Sequence, residues 1–413
     1  MKNRITESLR AVCLLGCLAV PVFACPACAD DEIERPAVTE PLMPDLGPEG
    51  EEGTIALSEI ARAVAFTAGE ESHSYRIPAL VTACDGSLLL FAEARRETWK
   101  DKSWTDVVVK RSTDGGATWS QAVNLTAAVN DGAYAFMDPA PVVDAGTGNV
   151  YLFCCRWNEG NADAKNNRAF LIVSSDNGAT WGEPKDVTER VVMPGWYCSG
   201  FGPGSGIRIA EGRYAGRLIL ASRQFDGSSS TGVALYSDDG GATWRIGSKV
   251  LGGESQIADC GHDRLMINIR KGADRYSAFS KDGGVTWTTA MKDAGLPSLA
   301  SGCHAGVCGV GGTTVFYCGP AGGVATSSND NRSGLTIRRS MTGGDLWTRS
   351  RMLYELASGY ADMTLLPDGR LAVAFEAGPE KGFIRRSDRP AGWMRIDVLV
   401  LPAKVTDRGY WFE

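Results

Sequence analysis

Five short segments of this chain repeat one pattern, and that repeat restricts the fold more than any other feature. STDGGATW from Ser112, SSDNGATW from Ser174, SDDGGATW from Ser237 and SKDGGVTW from Ser280 all read Ser-x-Asp-x-Gly-x-Thr-Trp. A fifth copy, SMTGGDLW from Ser340, carries Thr342 in the aspartate position. The pattern is that of a hairpin turn. The aspartate caps its own turn, glycine supplies a positive φ, and the tryptophan anchors the turn against a sheet. Trp119, Trp181, Trp244, Trp287 and Trp347 follow one another at 62, 63, 43 and 60 residues. Runs such as SLLLFAEAR before the first copy and RLILASR before the third read as strands. A period of this length holds one four-stranded blade, so the expectation is an all-β chain built as a β-propeller.

The copies match the Asp-box repeat, which lies at blade peripheries and also occurs in propellers that are not glycosidases. They predict the fold and leave the function open. The fifty glycines and eleven tryptophans agree with a turn-rich β protein.

The N-terminal stretch is of another kind. Lys2, Arg4 and Arg10 precede an apolar run from Ala11 to Ala24, the layout of a signal peptide and too short for a comfortable membrane span. Val-Phe-Ala before Cys25 resembles a bacterial lipoprotein signal; Leu-Leu-Gly before Cys17 and ordinary cleavage after Ala29 also fit. Residues 1–29 are therefore expected to direct export, to the periplasm, a lipid-anchored cell-surface position or the medium. The stretch 30–53 reads as an acidic, proline-rich linker, with nine acids against Arg35 alone. Most of the net charge of −7 lies there, leaving the remainder close to neutral, without the basic field that nucleic acid requires. The folded domain is expected over 54–413, as a monomer that meets a membrane only through an N-terminal lipid anchor.

Eight cysteines lie beyond Cys28, in a compartment that permits disulfides, and Cys303, Cys308 and Cys318 are close enough in sequence to suggest one bridge. His73, His262 and His304, the only histidines, have no metal-ligand spacing, and no loop has the ligand spacing of a calcium site. No metal and no cofactor are expected. SGFGPGSGIRI at 199–209 is no phosphate loop, because a β-like run follows it and the Gly-Lys-Ser/Thr ending is missing.

From about Ser72 onward the chain resembles the bacterial exo-sialidase family. The resemblance implies a six-bladed β-propeller of four-stranded antiparallel blades, acting on terminal sialic acid of glycoproteins, glycolipids or oligosaccharides. In YRIPAL, Arg76 matches the first of three arginines that clamp the substrate carboxylate. FAEARRETWKD assigns Arg95 to the sugar's 4-hydroxyl side and Asp101 to the acid/base role, with Glu97 and Asp106 as competitors. FMDPAPVV places Asp138 beside Arg95. Trp157, in CCRWNEG, either lines the N-acetyl side or is structural. LGGESQIADCGHDRLMINIRKG supplies Glu254 as partner of the nucleophile and Arg270 as second arginine, with Arg275 as alternative. NRSGLTIRRS gives Arg332 as third arginine. SGYADMTLLPDGRLAVAFEAG gives Tyr360 as nucleophile and Glu376 as the ion-pair partner of Arg76.

The chemistry suits these residue types. Arginines pair a carboxylate bidentately and stay charged. A carboxylate nucleophile would be repelled by the substrate's own carboxylate, whereas a neutral tyrosine with an acidic partner is not. The three cations around Tyr360 are expected to ease formation of its phenolate. The reading is a retaining hydrolase. Its rivals are a trans-sialidase or anhydro-forming variant with the same residues, and a non-catalytic sialic acid-binding propeller that would lose Asp101, Glu254 or Tyr360.

Overall fold

The computed structural model describes residues 53–158, 164–323, 332–378 and 393–413. The signal segment and all of the linker except Gly53 lie outside them; Gly53 already belongs to a strand, Gly53–Ile55, paired in parallel with Tyr410–Phe412. The fold is all-β, and Thr188–Val191 is the one α-helix among the described residues.

Strands follow one another as antiparallel meanders. The first runs Ser74–Thr82, Leu88–Arg95, Thr105–Ser112 and Val123–Asn124, the second Tyr134–Asp144, Asn149–Asn158, Arg168–Ser174 and Lys185–Asp186. One parallel pairing, Thr105 with Ala135, joins these into an eight-stranded sheet. Tyr197–Phe201, Leu218–Phe225, Ser230–Ser237 and Arg245–Val250 make the next sheet, with Ile207–Arg208 paired to its second strand. Ser255–Asp259, Leu265–Lys271, Asp274–Ser280 and Met291–Lys292 make another. The last sheet runs Gly306–Gly309, Val315–Pro320, Ser333–Ser340, the 17-residue strand Arg349–Leu365, Leu371–Ala377 and Arg395–Leu401, and is completed by Ala61–Thr67. The first long strand thus pairs with the last, so the two ends of the fold close on one another.

The repeated turns explain how neighbouring meanders hold together. In the first, Asp114 Oδ1 accepts from Thr118 N at 2.9 Å, its Oδ2 accepts from the Thr118 hydroxyl at 2.6 Å, and Ser112 Oγ accepts from Gly116 N at 2.9 Å. The copies at Asp176, Asp239 and Asp282 repeat these bonds. In the fifth, the Thr342 hydroxyl takes the backbone bond, from Leu346 N at 2.9 Å. The tryptophan and the second glycine face the preceding meander. Trp181 meets Phe91 edge-on at 5.5 Å, and Trp244 meets Phe153 at 4.9 Å. A Cβ on Gly241 would lie 2.3 Å from the Tyr151 ring, so the close approach as well as its φ of 88° requires glycine there.

Where the inner strands converge, buried Asp362 ties four segments together. It accepts from Leu80 N at 2.8 Å, Ser205 N at 2.9 Å, Gln256 Nε2 at 2.7 Å and Met363 N at 2.8 Å. The expected disulfide does not form. Cys303, Cys308 and Cys318 are free, as are the other five cysteines among the described residues, several as small apolar side chains within the sheets.

Candidate active site

Arg76 lies in a bulge of the edge strand Ser74–Thr82, where the register shifts between Arg76 and Ala79 and Ile77 adopts φ 57°. A β-branched residue at positive φ is strained, and the surroundings must hold it. Glu376, fully buried on Leu371–Ala377, does so. It accepts from Arg76 Nε at 2.9 Å and Nη2 at 3.0 Å, from Ile77 N at 2.9 Å, and from Tyr360 N at 3.1 Å. One carboxylate therefore fixes both a guanidinium and the backbone that carries the tyrosine.

The Tyr360 hydroxyl donates to Glu254 Oε1 at 2.6 Å and accepts from Arg270 Nη1 at 2.7 Å. Arg270 also donates to Glu254 Oε2 at 2.7 Å, closing a triangle. The guanidinium carbons of Arg76 and Arg332 stand 5.2 and 5.4 Å from the centre of the Tyr360 ring. Three arginines from three different strand regions thus surround one phenol. Arg275 lies elsewhere, buried on Asn268 Oδ1 and the Cys303 carbonyl. Arg339 holds carbonyls of the C-terminal turn, and Arg338 the Gly295 carbonyl.

The electrostatics correct one expectation. Burial pushes the Tyr360 phenol well above its usual range, Glu254 adds to this, and Arg270 and Arg332 pull the other way without offsetting it. The resting tyrosine is neutral. Desolvation works against the Glu254 carboxylate too, but Arg270 and Arg223, with help from His304 and the Tyr360 hydrogen bond, hold it down at about 2. An ionised carboxylate therefore sits beside a protonated phenol.

Asp101 sits on the loop after Leu88–Arg95 with its side chain 66% exposed, 2.7 Å from Arg95 Nη1 and 3.8 Å from Arg76 Nη1. Desolvation raises its carboxyl, but Arg95 and then Arg76 outweigh that and leave it below the usual range. Of its competitors, Asp106 is buried in a structural network with Arg96, Thr126 and Asn130, and Glu97 is exposed. Arg95 is buried and forked onto Glu93 Oε2 at 3.1 and 2.8 Å. Asp138 does not pair with Arg95. It sits in a second Pro-associated bulge, at φ 58°; its N–H reaches Glu93 at 3.0 Å and its carboxylate pairs with Arg223. Burial lifts the Asp138 carboxyl to about 7 although Arg223 opposes it. Glu93 stands between Arg95 and Asp138, which is why the two do not meet. Gly200 makes room for the Asp138–Arg223 pair, since a Cβ there would lie 2.3 Å from both partners. Trp157 packs on the core of the second meander, with Lys102 Nζ 4.0 Å from its ring centre.

Glu93, Arg223 and His304 belong to this constellation and escaped the sequence reading. Glu93 alternates with Ala92 and Ala94 in an apolar strand, a signal that a buried carboxylate needs a partner. Arg223 and His304 sit in segments whose only distinction is their place in space. His304 is buried, its ring centre 5.7 Å from that of Tyr360, and burial and Arg275 depress it to about 3.

In chemical terms the site can hold an anion between guanidiniums, deliver a tyrosine oxygen with a base attached, and present an exposed carboxylate beside the same cations. The profile of the BNR repeat-like domain family matches residues 86–373. The sialidase of Micromonospora viridifaciens is 29% identical over 330 residues, covering 74% of this chain and 50% of that protein. The chain thus spans about half the length of that curated relative. Among solved structures, the Hadza microbial sialidase Hz136 superposes with a TM-score of 0.69 at 25% identity, over 81% of this chain and 67% of that one. An intramolecular trans-sialidase from Ruminococcus gnavus gives 0.64 at 19% identity, over 81% and 96%, a likeness of fold alone.

Proposed function

The chain belongs to the BNR repeat-like family, and from that premise we propose that it is an exo-α-sialidase that hydrolyses terminal sialosides with retention of configuration. The observation that carries this reading is the Tyr360 hydroxyl bonded at once to Glu254 and Arg270, with Arg76 and Arg332 over its ring. A neutral oxygen nucleophile amid three cations suits a sugar that carries its own carboxylate at the reacting carbon.

In this mechanism Arg76, Arg270 and Arg332 clamp the substrate carboxylate and orient the ring. Tyr360 attacks the anomeric carbon while its proton passes to Glu254. The transfer accompanies attack, because burial disfavours a free phenolate. Asp101 protonates the leaving oxygen. It is ionised in the resting site, so substrate has to change its surroundings, neutralising Arg76 with a carboxylate and covering the exposed loop. Water then attacks the anomeric carbon with Asp101 as base, and the departing Tyr360 oxygen takes its proton back from Glu254. Arg95, Asp138 and Trp157 line the sugar's other side, and Glu376 holds Arg76.

The same reading takes the successive meanders as six four-stranded blades of a propeller, the last completed by Ala61–Thr67. It includes export, which the basic and apolar leader supports, and sialylated glycans as substrates. A binding-only propeller would have no need of the Glu254–Tyr360 bond.

The test is release of fluorophore from an aryl sialoside by the full chain, alongside Tyr360→Phe. Turnover that falls by at least about 10³-fold in a folded variant that still binds sialic acid supports the nucleophile. Sialic acid bound by a folded wild type without turnover would refute the hydrolase, and a 2,7-anhydro or transferred product would replace hydrolysis by the variant reaction.

A further inference from the structure

Apart from His304, the turn Leu299–His304 contributes no side chain to the site described above, yet its backbone meets three arginines in succession. The Ser301 carbonyl accepts from Arg270 Nη2 at 3.2 Å, the Gly302 carbonyl from Arg332 Nε at 3.0 Å, and the Cys303 carbonyl from Arg275 Nη1 at 3.0 Å. Arg270 is the penultimate residue of Leu265–Lys271, whereas Arg332 immediately precedes Ser333–Ser340 in another sheet. Besides Tyr360, the turn is an element that both side chains contact.

The turn is itself fixed. Gly302 N donates to the Leu299 carbonyl at 2.7 Å, and Leu299 N to the Ala273 carbonyl at 2.8 Å. Leu299 and Cys303 pack with Ile77 and Tyr360 in one buried cluster. Arg275 anchors the far end, its other nitrogens held by Asn268 on the strand that also carries Arg270. Gly302 adopts φ 59°, and a Cβ there would lie 2.1 Å from the Gly272 carbonyl oxygen and 2.8 Å from Arg270 Nε.

We propose that this turn positions Arg270 and Arg332 against Tyr360, and that Gly302 is the positioning residue on which the arrangement depends. A long arginine side chain samples many rotamers; a fixed carbonyl at one edge removes most of them and orients the remaining donors. Arg270 shows the result, with Nη2 on the turn and Nη1 on Glu254 and Tyr360. The carbonyl oxygens also place partial negative charge behind cations that must stay close together. The kinetic consequence rests on the sialoside reading above.

The experiment is Gly302→Ala in the full chain. An alanine Cβ needs the turn or Arg270 to move by roughly 1 Å, and a misplacement of that size costs on the order of 10²-fold. The expected result is a fall of about that size in kcat/KM for an aryl sialoside, mostly through KM. A crystal structure of the variant then shows Arg270 and Arg332 displaced and Arg76, held by Glu376, in place. Arg275→Met, which removes the anchor and leaves both clamp arginines unsubstituted, is expected to raise KM by roughly tenfold. Wild-type kinetics in a folded Gly302→Ala protein, or unmoved arginines in its crystal structure, would overturn the proposal. If Gly302→Ala does not fold, an unchanged KM in Arg275→Met overturns it. A wild-type chain without turnover sinks the assigned reaction instead, and the arginine positions in the variant's crystal structure then decide.

Discussion

Replacing Glu376 by glutamine would show how far one buried carboxylate holds the site together. Its two oxygens each accept two hydrogen bonds: Oε1 from Arg76 Nε and Ile77 N, Oε2 from Arg76 Nη2 and Tyr360 N. An amide of the same shape has one acceptor oxygen, so its NH2 group confronts two donors whichever way it is turned. One of those belongs to a guanidinium that is itself buried. Leaving a buried donor unmatched costs about 1–3 kcal/mol, and more for a charged one. The sum, about 4 kcal/mol, agrees with the roughly 3–5 kcal/mol lost when one partner of a buried ion pair is removed. For roughly 360 folded residues at about 2.1 cal/mol/K each, this lowers Tm by about 5 °C. Activity should fall further than stability, because Arg76 and the backbone of Tyr360 both lose their register; a drop in kcat/KM of at least about 10²-fold is expected. Calorimetry and steady-state kinetics on the purified variant read the two effects separately. A Tm within about 1 °C of wild type together with kcat/KM within about threefold would refute the reasoning, since the shared carboxylate would then be dispensable.

Two further outcomes follow from the same geometry. His304 is buried and holds its proton only below about 3, against about 6.5 in an unfolded chain. The unfolded chain therefore binds an extra proton between those values, and the fold loses stability as pH falls from about 6.5 to about 3. Tm should decline less steeply over that window in His304→Gln, and parallel slopes would exclude the histidine as a source. Asp114 lies at the outer turn, far in role from the site, so Asp114→Ala should cost roughly 1–2 °C in Tm and leave kcat/KM unchanged. A large loss of activity there would mean that the repeated turns do more than hold sheets together.

The sequence alone determined much of this protein, because its informative features are local. The Ser-x-Asp-x-Gly-x-Thr-Trp turns close their hydrogen bonds within eight residues, so their spacing announced the all-β class and the strand pairs between them. The spacing of Arg76, Asp101, Glu254, Arg270, Arg332 and Tyr360 named the candidates through resemblance. Which groups touch was a different matter, since several partners come from strands 85 to 300 residues apart. Arg76 meets Glu376 across 300 positions, and Asp138 meets Arg223 rather than Arg95 because Glu93 lies between. Burial was equally invisible. Three nearby arginines in sequence logic promised an easier phenolate, but desolvation of Tyr360 beside Glu254 outweighs them. Free cysteines, the tie at Asp362 and the turn that gathers three guanidiniums on consecutive carbonyls also emerged only from packing. A chain can advertise which chemical groups it carries, whereas charge balance and hydrogen-bond partners are properties of the space they come to share.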